Sequence, residues 1–475
     1  TDCQGTLIAR TIAELFSCAI GEGPRVNLFP KFDWAYAKKW AMPAVTHCNR
    51  GFPNEKMLKE VHDSGRVWTG NLFAVNPPTV EEQLKRIDSA MKSLKGRDGV
   101  TADELFYTTP EIDNYTQALK RHSYDRDILI YSWGCGEPSL RSMHRDFIAT
   151  SLNASHGRGK ILREAYIGAK SLTEEGAYKI AYSQMANYFK ISKSFYPDFA
   201  RRSGIILGNF NQLNTITLEH YPQVDFKYFL DMQMNILAND PLFEGIGITG
   251  YWGTHYTDEE MFRWSHALLR HYVVEGQKEM LSKKYGFTYV PGHIENNDFA
   301  DDLKGWTVSE AEKGTVKTAY HKGYNTKNQV RYGDGIGDIG CKFCTLKAVE
   351  GKPNTISQVA KALTPGREYI LLFSAGSYDE LKTNTFNPRE YGFDATISDA
   401  EIVPEGTFVF VDKCDTGMYG YGNNRNIAHQ NLYRYVFKPK KSEVTITFSD
   451  AKAVPGETLM FNYVQVKPFF PKTEY

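Results

Sequence analysis

A (β/α)8 barrel followed by an antiparallel β-sandwich is the fold class this sequence predicts, on three observations. From residue 41 onward short apolar strands alternate with amphipathic helices, the pattern of parallel β/α architecture. The alternation covers residues 25 to 285, close to the ~250 residues that such a barrel uses. Near residue 289 the texture changes to short alternating strands parted by Gly, Pro, Asn and Asp turns, which reads as a sandwich. A chain of 475 residues is too long for one ordinary core, and a boundary at 286 to 292 divides it into a barrel domain, 1–288, and a sandwich domain, 289–475.

The barrel elements follow in order. MPAVTHCNR (42 to 50) leads to a helix with an Asn54 start and a Gly65 stop, and RVWTGNLF (66 to 73) leads to one between Thr79 and Gly96. DGVTADELF (98 to 106) precedes TPEIDNYTQALKRH, and DILIYSWGCGEP brings the fourth strand. KILREAYIG (160 to 168) precedes the long helix TEEGAYKIAYSQMANYFKISKSF, and GIGITGYWG (245 to 253) closes the series before DEEMFRWSHALLRHYVVEG. GIILGNF (204 to 210) and NTITLEHYP (214 to 222) stand too close together for a helix between them. Either a loop replaces one barrel helix or one of the two is not a barrel strand.

Composition excludes several functions. Lys+Arg and Asp+Glu both number 56, so electrostatic capture of nucleic acid or of an anionic membrane is not expected. The longest membrane-span candidate, TLIARTIAELFSCAIG, is broken by Arg10 and Glu14 and falls short of the ~20 apolar residues a span needs. The first residue is not Met and no signal-peptide pattern follows, which fits a processed or trimmed chain. Seven cysteines without a dense framework argue against a disulfide scaffold, and the single C-x-x-C at 341 to 344 reads as ordinary cysteines, a local disulfide or, least of all, zinc.

Active sites of such barrels lie at the C-terminal ends of the strands. Polar and aromatic residues just past the apolar runs include His47, Trp68, Asn71, Asp103, Glu104, Trp133, Glu137, Glu164, Asn209, Glu219, Tyr251, Trp252 and His255. ILIYSW reads as a strand buried on both faces, and GCGEP turns the chain to aim Glu137 into the mouth. Two carboxylates facing each other there are what glycosidic cleavage requires: one protonates the leaving oxygen, the other attacks the anomeric carbon or activates water. Glu137 and Glu219 are the expected catalytic pair. Asp103, Glu104 and Glu164 are rivals for the second place, with alternation sending Asp103 and Glu104 to opposite faces. His47, Trp68, Asp103, Trp133, Glu164, Asn209, Tyr251 and Trp252 are the expected substrate-binding residues. A metal hydrolase built on His47, Asp103, Glu137, Glu164 and His255 is a weaker alternative, because no H-x-H, H-E-x-x-H or D-x-D motif occurs. No metal or cofactor is expected in catalysis.

Glu137 after the fourth strand and Glu219 after the seventh resemble the acid/base and nucleophile of the large clan of retaining glycoside hydrolases with (β/α)8 barrels. There the acid/base typically follows an Asn; here Gly136 precedes it. The resemblance implies a poly- or oligosaccharide substrate, retention of configuration, and a secreted, periplasmic or cell-surface location. The missing Asn supports the rival reading, a polysaccharide-binding or adhesion protein on a barrel that has lost catalysis. IENNDFADDLKGWTV, LTPGREYILLFSAGS and FNYVQVKPF together resemble the jelly-roll family of carbohydrate-binding modules over residues 294 to 470. That resemblance implies sugar-binding aromatics, with Tyr378, Tyr391, Tyr419 and Tyr421 as candidates, and a structural calcium near Glu295, Asp298 or Asp338. Sugar identity, linkage and oligomeric state are not legible here.

Overall fold

A computed structural model describes residues 12–18, 20, 33–49, 51, 53–73, 79–106, 110–122, 129–135, 142–212, 216–322, 339–383, 385, 387, 389–411 and 431–472. Eight parallel strands close into a barrel: β1 (Glu14–Cys18), β2 (His47–Asn49), β3 (Val67–Phe73), β4 (Gly99–Phe106), β5 (Leu129–Cys135), β6 (Lys160–Ala165), β7 (Ser203–Gly208) and, after a small hairpin of β8 (Asn211–Gln212) and β9 (Ile216–Thr217), β10 (Ile248–Trp252). The strand that closes the ring is β1, which pairs with β2 on one side and β10 on the other.

This corrects the strand count. ELFSC, part of the stretch considered as a membrane span, is the first barrel strand, so the barrel begins before residue 25 and ILIYSW lies on the fifth strand rather than the fourth. NTITLEHYP supplies only one arm of the β8–β9 hairpin, so it is not the seventh barrel strand. A five-residue strand surrounded by helix-compatible sequence carries too little periodicity to announce itself, and only ring closure reveals it.

Local chemistry sets the helices as expected. Asn54 caps α2 (Glu55–Asp63) by accepting from the Met57 N–H at 2.9 Å, and Thr79 caps α3 (Val80–Lys92) through the Glu82 N–H at 3.2 Å. The helices Glu111–Arg121, Ser142–Gly157, Glu174–Phe195, Phe226–Asn239 and Glu259–Leu269 lie within or close to their sequence-predicted spans, and no helix among the described residues is long and apolar enough to cross a membrane.

The second domain is two antiparallel sheets, one of four strands and one of six. In the six-stranded sheet Tyr369–Ser377 lies between Asn431–Pro439 and Thr458–Pro468, with Ala400–Val411 at one edge. Phe373, Phe393, Phe448 and Phe461 pack at ring separations of 4.7–6.4 Å in its core. Lys342–Lys347, part of which the sequence shows only as C-x-x-C, is a strand of this sheet, and Cys341 and Cys344 are free buried thiols.

The two domains share a buried charged seam. Asp258, Glu259 and Glu260 open the helix Glu259–Leu269, with Asp258 as its cap, and Arg434 of the sandwich lies 3.4, 3.5 and 3.9 Å from their carboxylates. Arg263 of the same helix pairs with Glu259 at 3.1 Å and donates to the carbonyls of Phe470 and Pro471 at 2.9 and 2.8 Å. The chain leaving the last sandwich strand is therefore bound back onto the barrel. Removing one partner of a buried pair strands the other charge, so Arg434→Ala should lower unfolding stability by about 3–5 kcal/mol. Denaturant unfolding followed by circular dichroism checks it; a variant as stable as the parent would show that this pair does not hold the domains together.

Candidate active site at the barrel mouth

The lumen is filled from its base. Glu14 accepts from the Tyr131 hydroxyl at 2.6 Å and lies 3.6 Å from Lys160 Nζ and 3.7 Å from His47 Nδ1. Burial pushes its carboxyl up, but His47, Lys160 and Tyr131 outweigh this and hold it below its ordinary pKa. Above it, Thr69 Oγ1 lies 2.7 Å from His47 Nε2 and accepts from the Asn49 amide at 2.7 Å, while the same amide reaches Thr101 at 2.8 Å. His47 is wholly buried in this plug, so the expected sugar contact is instead an internal tie.

The mouth is shaped by a bulge in β4. Ala102 pairs with Ser132 and Leu105 with Gly134, so Asp103 and Glu104 together occupy the one register position opposite Trp133. Thr101 faces the lumen, hence that shared position faces it too. Asp103 is 5% exposed and accepts the Glu104 N–H at 3.0 Å, whereas Glu104 is exposed, with a left-handed φ of 56°. The expectation that alternation separates these two acids is thereby corrected: the inserted residue cancels it. Leu105 turns to the barrel–helix layer and is buried.

Two strands away, Glu164 takes the inward position at the end of β6, in phase with Lys160, and accepts from the Tyr166 hydroxyl at 3.0 Å. Trp252 is inward on β10, since Tyr251 before it packs outward against His266 at 6.5 Å. Gly253 follows with φ 93°, and the Phe210 ring fills the place a Cβ would take, so only glycine closes this corner. Tyr166 and Tyr256 edge onto Phe210 at 5.0 and 5.6 Å. Among the described residues, Asp103, Glu104 and Glu164 are the acids at inward positions on the C-terminal ends of the barrel strands.

Several expected contacts lie elsewhere. Trp68 faces outward, fully buried and 6.0 Å from the Trp34 ring, and Tyr251 is fully buried between barrel and helix, so neither reaches a ligand in the mouth. Asn209 is fully buried and donates to Ser265 at 3.1 Å, behind the strands. Trp133 lies on β5, but its side chain, like that of His255, is outside the described residues, and Glu137, Asp338, Tyr419 and Tyr421 are wholly outside them.

Glu219 is placed in the domain seam. It is 7% exposed and its carboxylate lies 3.6 Å from Lys467 of the sandwich. Burial raises its pKa against the opposing pull of Lys467 and Lys227, with Gln465 and Asp225 also near. The β8–β9 hairpin carries this segment away from the strand end, which is why a carboxylate that reads as the seventh-strand acid does not arrive at the mouth. Asp298, an expected calcium ligand, is turned to the Ala300 N–H and the Gln223 amide, and among the described residues no three ligands gather for a metal. Tyr391 is buried and donates to Glu380 at 3.1 Å, and Tyr378 packs on Phe343 at 5.4 Å.

No family model and no curated protein matches the chain. Similar solved structures include endo-β-N-acetylglucosaminidase from Cordyceps militaris, at 13% identity over 54% of this chain and 89% of that one with a TM-score of 0.36. The catalytic domain of the hyperthermophilic chitinase from Pyrococcus furiosus matches at 13% identity over 57% of this chain and 98% of that one, TM-score 0.36. A carbohydrate-binding module, TmCBM61 in complex with β-1,4-galactotriose, matches at 15% identity over 37% of this chain and 97% of that one, TM-score 0.21. Likeness of this degree bears on neither substrate nor mechanism.

Glu219→Gln tests the seam assignment. A carboxyl whose folded pKa is raised adds stability below its unfolded pKa, and that contribution is lost as pH rises through the folded value. Moving from pH ~3.5 to pH ~7 should therefore shift the stability difference in the variant's favour, with the rate of any sugar hydrolysis unchanged. Loss of turnover with an unaltered stability profile would return Glu219 to the catalytic pair.

Proposed function

We propose that this protein is a glycoside hydrolase acting at the C-terminal mouth of its barrel. The observation that carries this is the β4 bulge, which sets Asp103 and Glu104 into one inward position two strands from Glu164. A bulge at a strand end re-aims side chains and is a device of active sites. Glu104 is open to solvent while Asp103 beside it is nearly closed off, so two acids of one strand end meet different environments. Such pairs divide acid and base work between them.

In this reading one carboxyl donates its proton to the glycosidic oxygen, and a second across the mouth stabilises the oxocarbenium-like transition state by attack or by activating water. Glu104 and Glu164 hold these two roles, with Asp103 orienting its neighbour and the Tyr166 hydroxyl fixing Glu164. Glu137 follows β5, the strand between β4 and β6, by two residues of sequence, and we keep it as the candidate acid/base that would share the work. Trp252 supplies an aromatic wall for a sugar ring. Retention is the stereochemistry we propose from the clan resemblance, and a glycan substrate places the protein outside the cytoplasm or at the cell surface.

Replacing an acid or base typically costs ~10²–10⁴ in rate. Glu104→Gln, Glu164→Gln and Glu137→Gln should each be made and turnover followed on a panel of aryl glycosides and oligosaccharides, with circular dichroism showing the fold retained. At least two should lose that much activity, and NMR of the first product anomer reads retention directly. Full activity in Glu104→Gln and Glu164→Gln would end this assignment. Sugar binding by the parent without turnover would favour the non-catalytic carbohydrate-binding alternative.

A further inference from the structure

The domain seam opens into a groove with a chemistry of its own. A cavity of about 700 Å³ lies between the last helical turn of the barrel, Leu281–Tyr285, and the six-stranded sheet. Its lining brings Lys284, Arg367, Lys438 and Lys472 together with only Glu368 and Glu405. That local excess of four cations over two carboxylates stands out in a chain whose 56 basic and 56 acidic residues cancel. A second cavity of about 510 Å³ shares Lys284 and Tyr285 with it and continues to Arg270 and His271, so the two form one elongated trough.

The walls are built rather than incidental. The edge strand Ala400–Val411 stays in register with its neighbour up to Val403 opposite Val436 and resumes at Phe408 opposite Arg434, so residues 404–407 arch away from the sheet. Thr407 pins the arch: its hydroxyl accepts the Val436 N–H at 3.0 Å and donates to the Val403 carbonyl at 2.9 Å. Gly406 lies where any Cβ would collide with Val436, so the arch sits close against the sheet while presenting Glu405 to the trough. On the opposite side Arg367 donates to the Tyr285 carbonyl and spreads over the rings of Phe287 and Tyr369 at 5.7 and 5.8 Å, a guanidinium fixed in place. Tyr285 is half-buried, leaving part of an aromatic face on the floor.

We propose that this groove binds a carboxylate-bearing oligosaccharide. Fixed cations meet the sugar carboxylates, Glu368 and Glu405 accept from sugar hydroxyls, and Tyr285 offers an apolar face to a ring. A phosphodiester chain fits less well, because carboxylates stand between the cations and would repel its denser charge. The groove is separate from the barrel mouth, so this inference goes beyond the hydrolase reading and does not require it.

Calorimetric titration of the full chain at low salt tests it, with a galacturonic acid oligosaccharide, its fully methyl-esterified form and single-stranded oligothymidylate as probes. Binding of the acidic saccharide, weakened by added salt and on the order of ten-fold weaker in Lys284→Ala/Lys472→Ala, is the expected result. Both lysines are exposed, and circular dichroism of the double variant shows that the fold is kept. Absence of binding, equal binding of the esterified form, an unaffected double variant, or tighter binding of the oligonucleotide would each overturn the proposal. Heat is read without turnover, so failure of the hydrolase reading leaves this result standing.

Discussion

The carboxylate of Glu14 ties the barrel together across its lumen. It sits on the strand that closes the ring and takes a hydrogen bond from Tyr131 on β5, with Lys160 on β6 and His47 on β2 within ion-pair distance. Four of the eight strands thus meet at one side chain. A charged group in a barrel base is costly unless its partners are in place, so the tie favours one closed arrangement over slipped ones. His47, Asn49, Thr69 and Thr101 continue the network upward and form the floor on which the mouth acids stand.

Position of those acids follows from two local departures from regularity. The β4 bulge puts Asp103 and Glu104 on one side, and the β8–β9 hairpin takes Glu219 off the barrel rim into the seam. Each exchanges a regular ladder for a redirected carboxylate. Glu104 carries the cost as a non-glycine residue in the left-handed region, a strain that persists only where surrounding structure enforces it.

The sandwich is not a loosely tethered appendage. Its last strand runs on into residues 470–471, whose carbonyls are held by Arg263, while the Phe470 N–H is held by Glu260 at 2.8 Å and its ring packs on Trp264 at 5.1 Å. A buried ionic seam is weak evidence for added stability but fixes geometry well, since each misplacement strands a charge. A rigid seam is what allows a groove between domains to keep its shape.

The sequence by itself determined the elements whose signals are local. Caps at Asn54 and Thr79, the alternation of strands and helices, and the change of texture near residue 289 depend on neighbours in the chain, and the barrel and sandwich were legible from them. Asp103, Glu164 and Trp252 were legible as candidates because they sit at strand ends. Only tertiary structure decided which strand closes the ring, that Trp68, Asn209 and Tyr251 face the helices rather than the lumen, that Glu219 belongs to Lys467, and that a bulge reunites Asp103 with Glu104. The physical reason is common to all four: the direction of a side chain on a strand depends on register with a partner strand, and one inserted residue reverses it while leaving composition and local pattern unchanged.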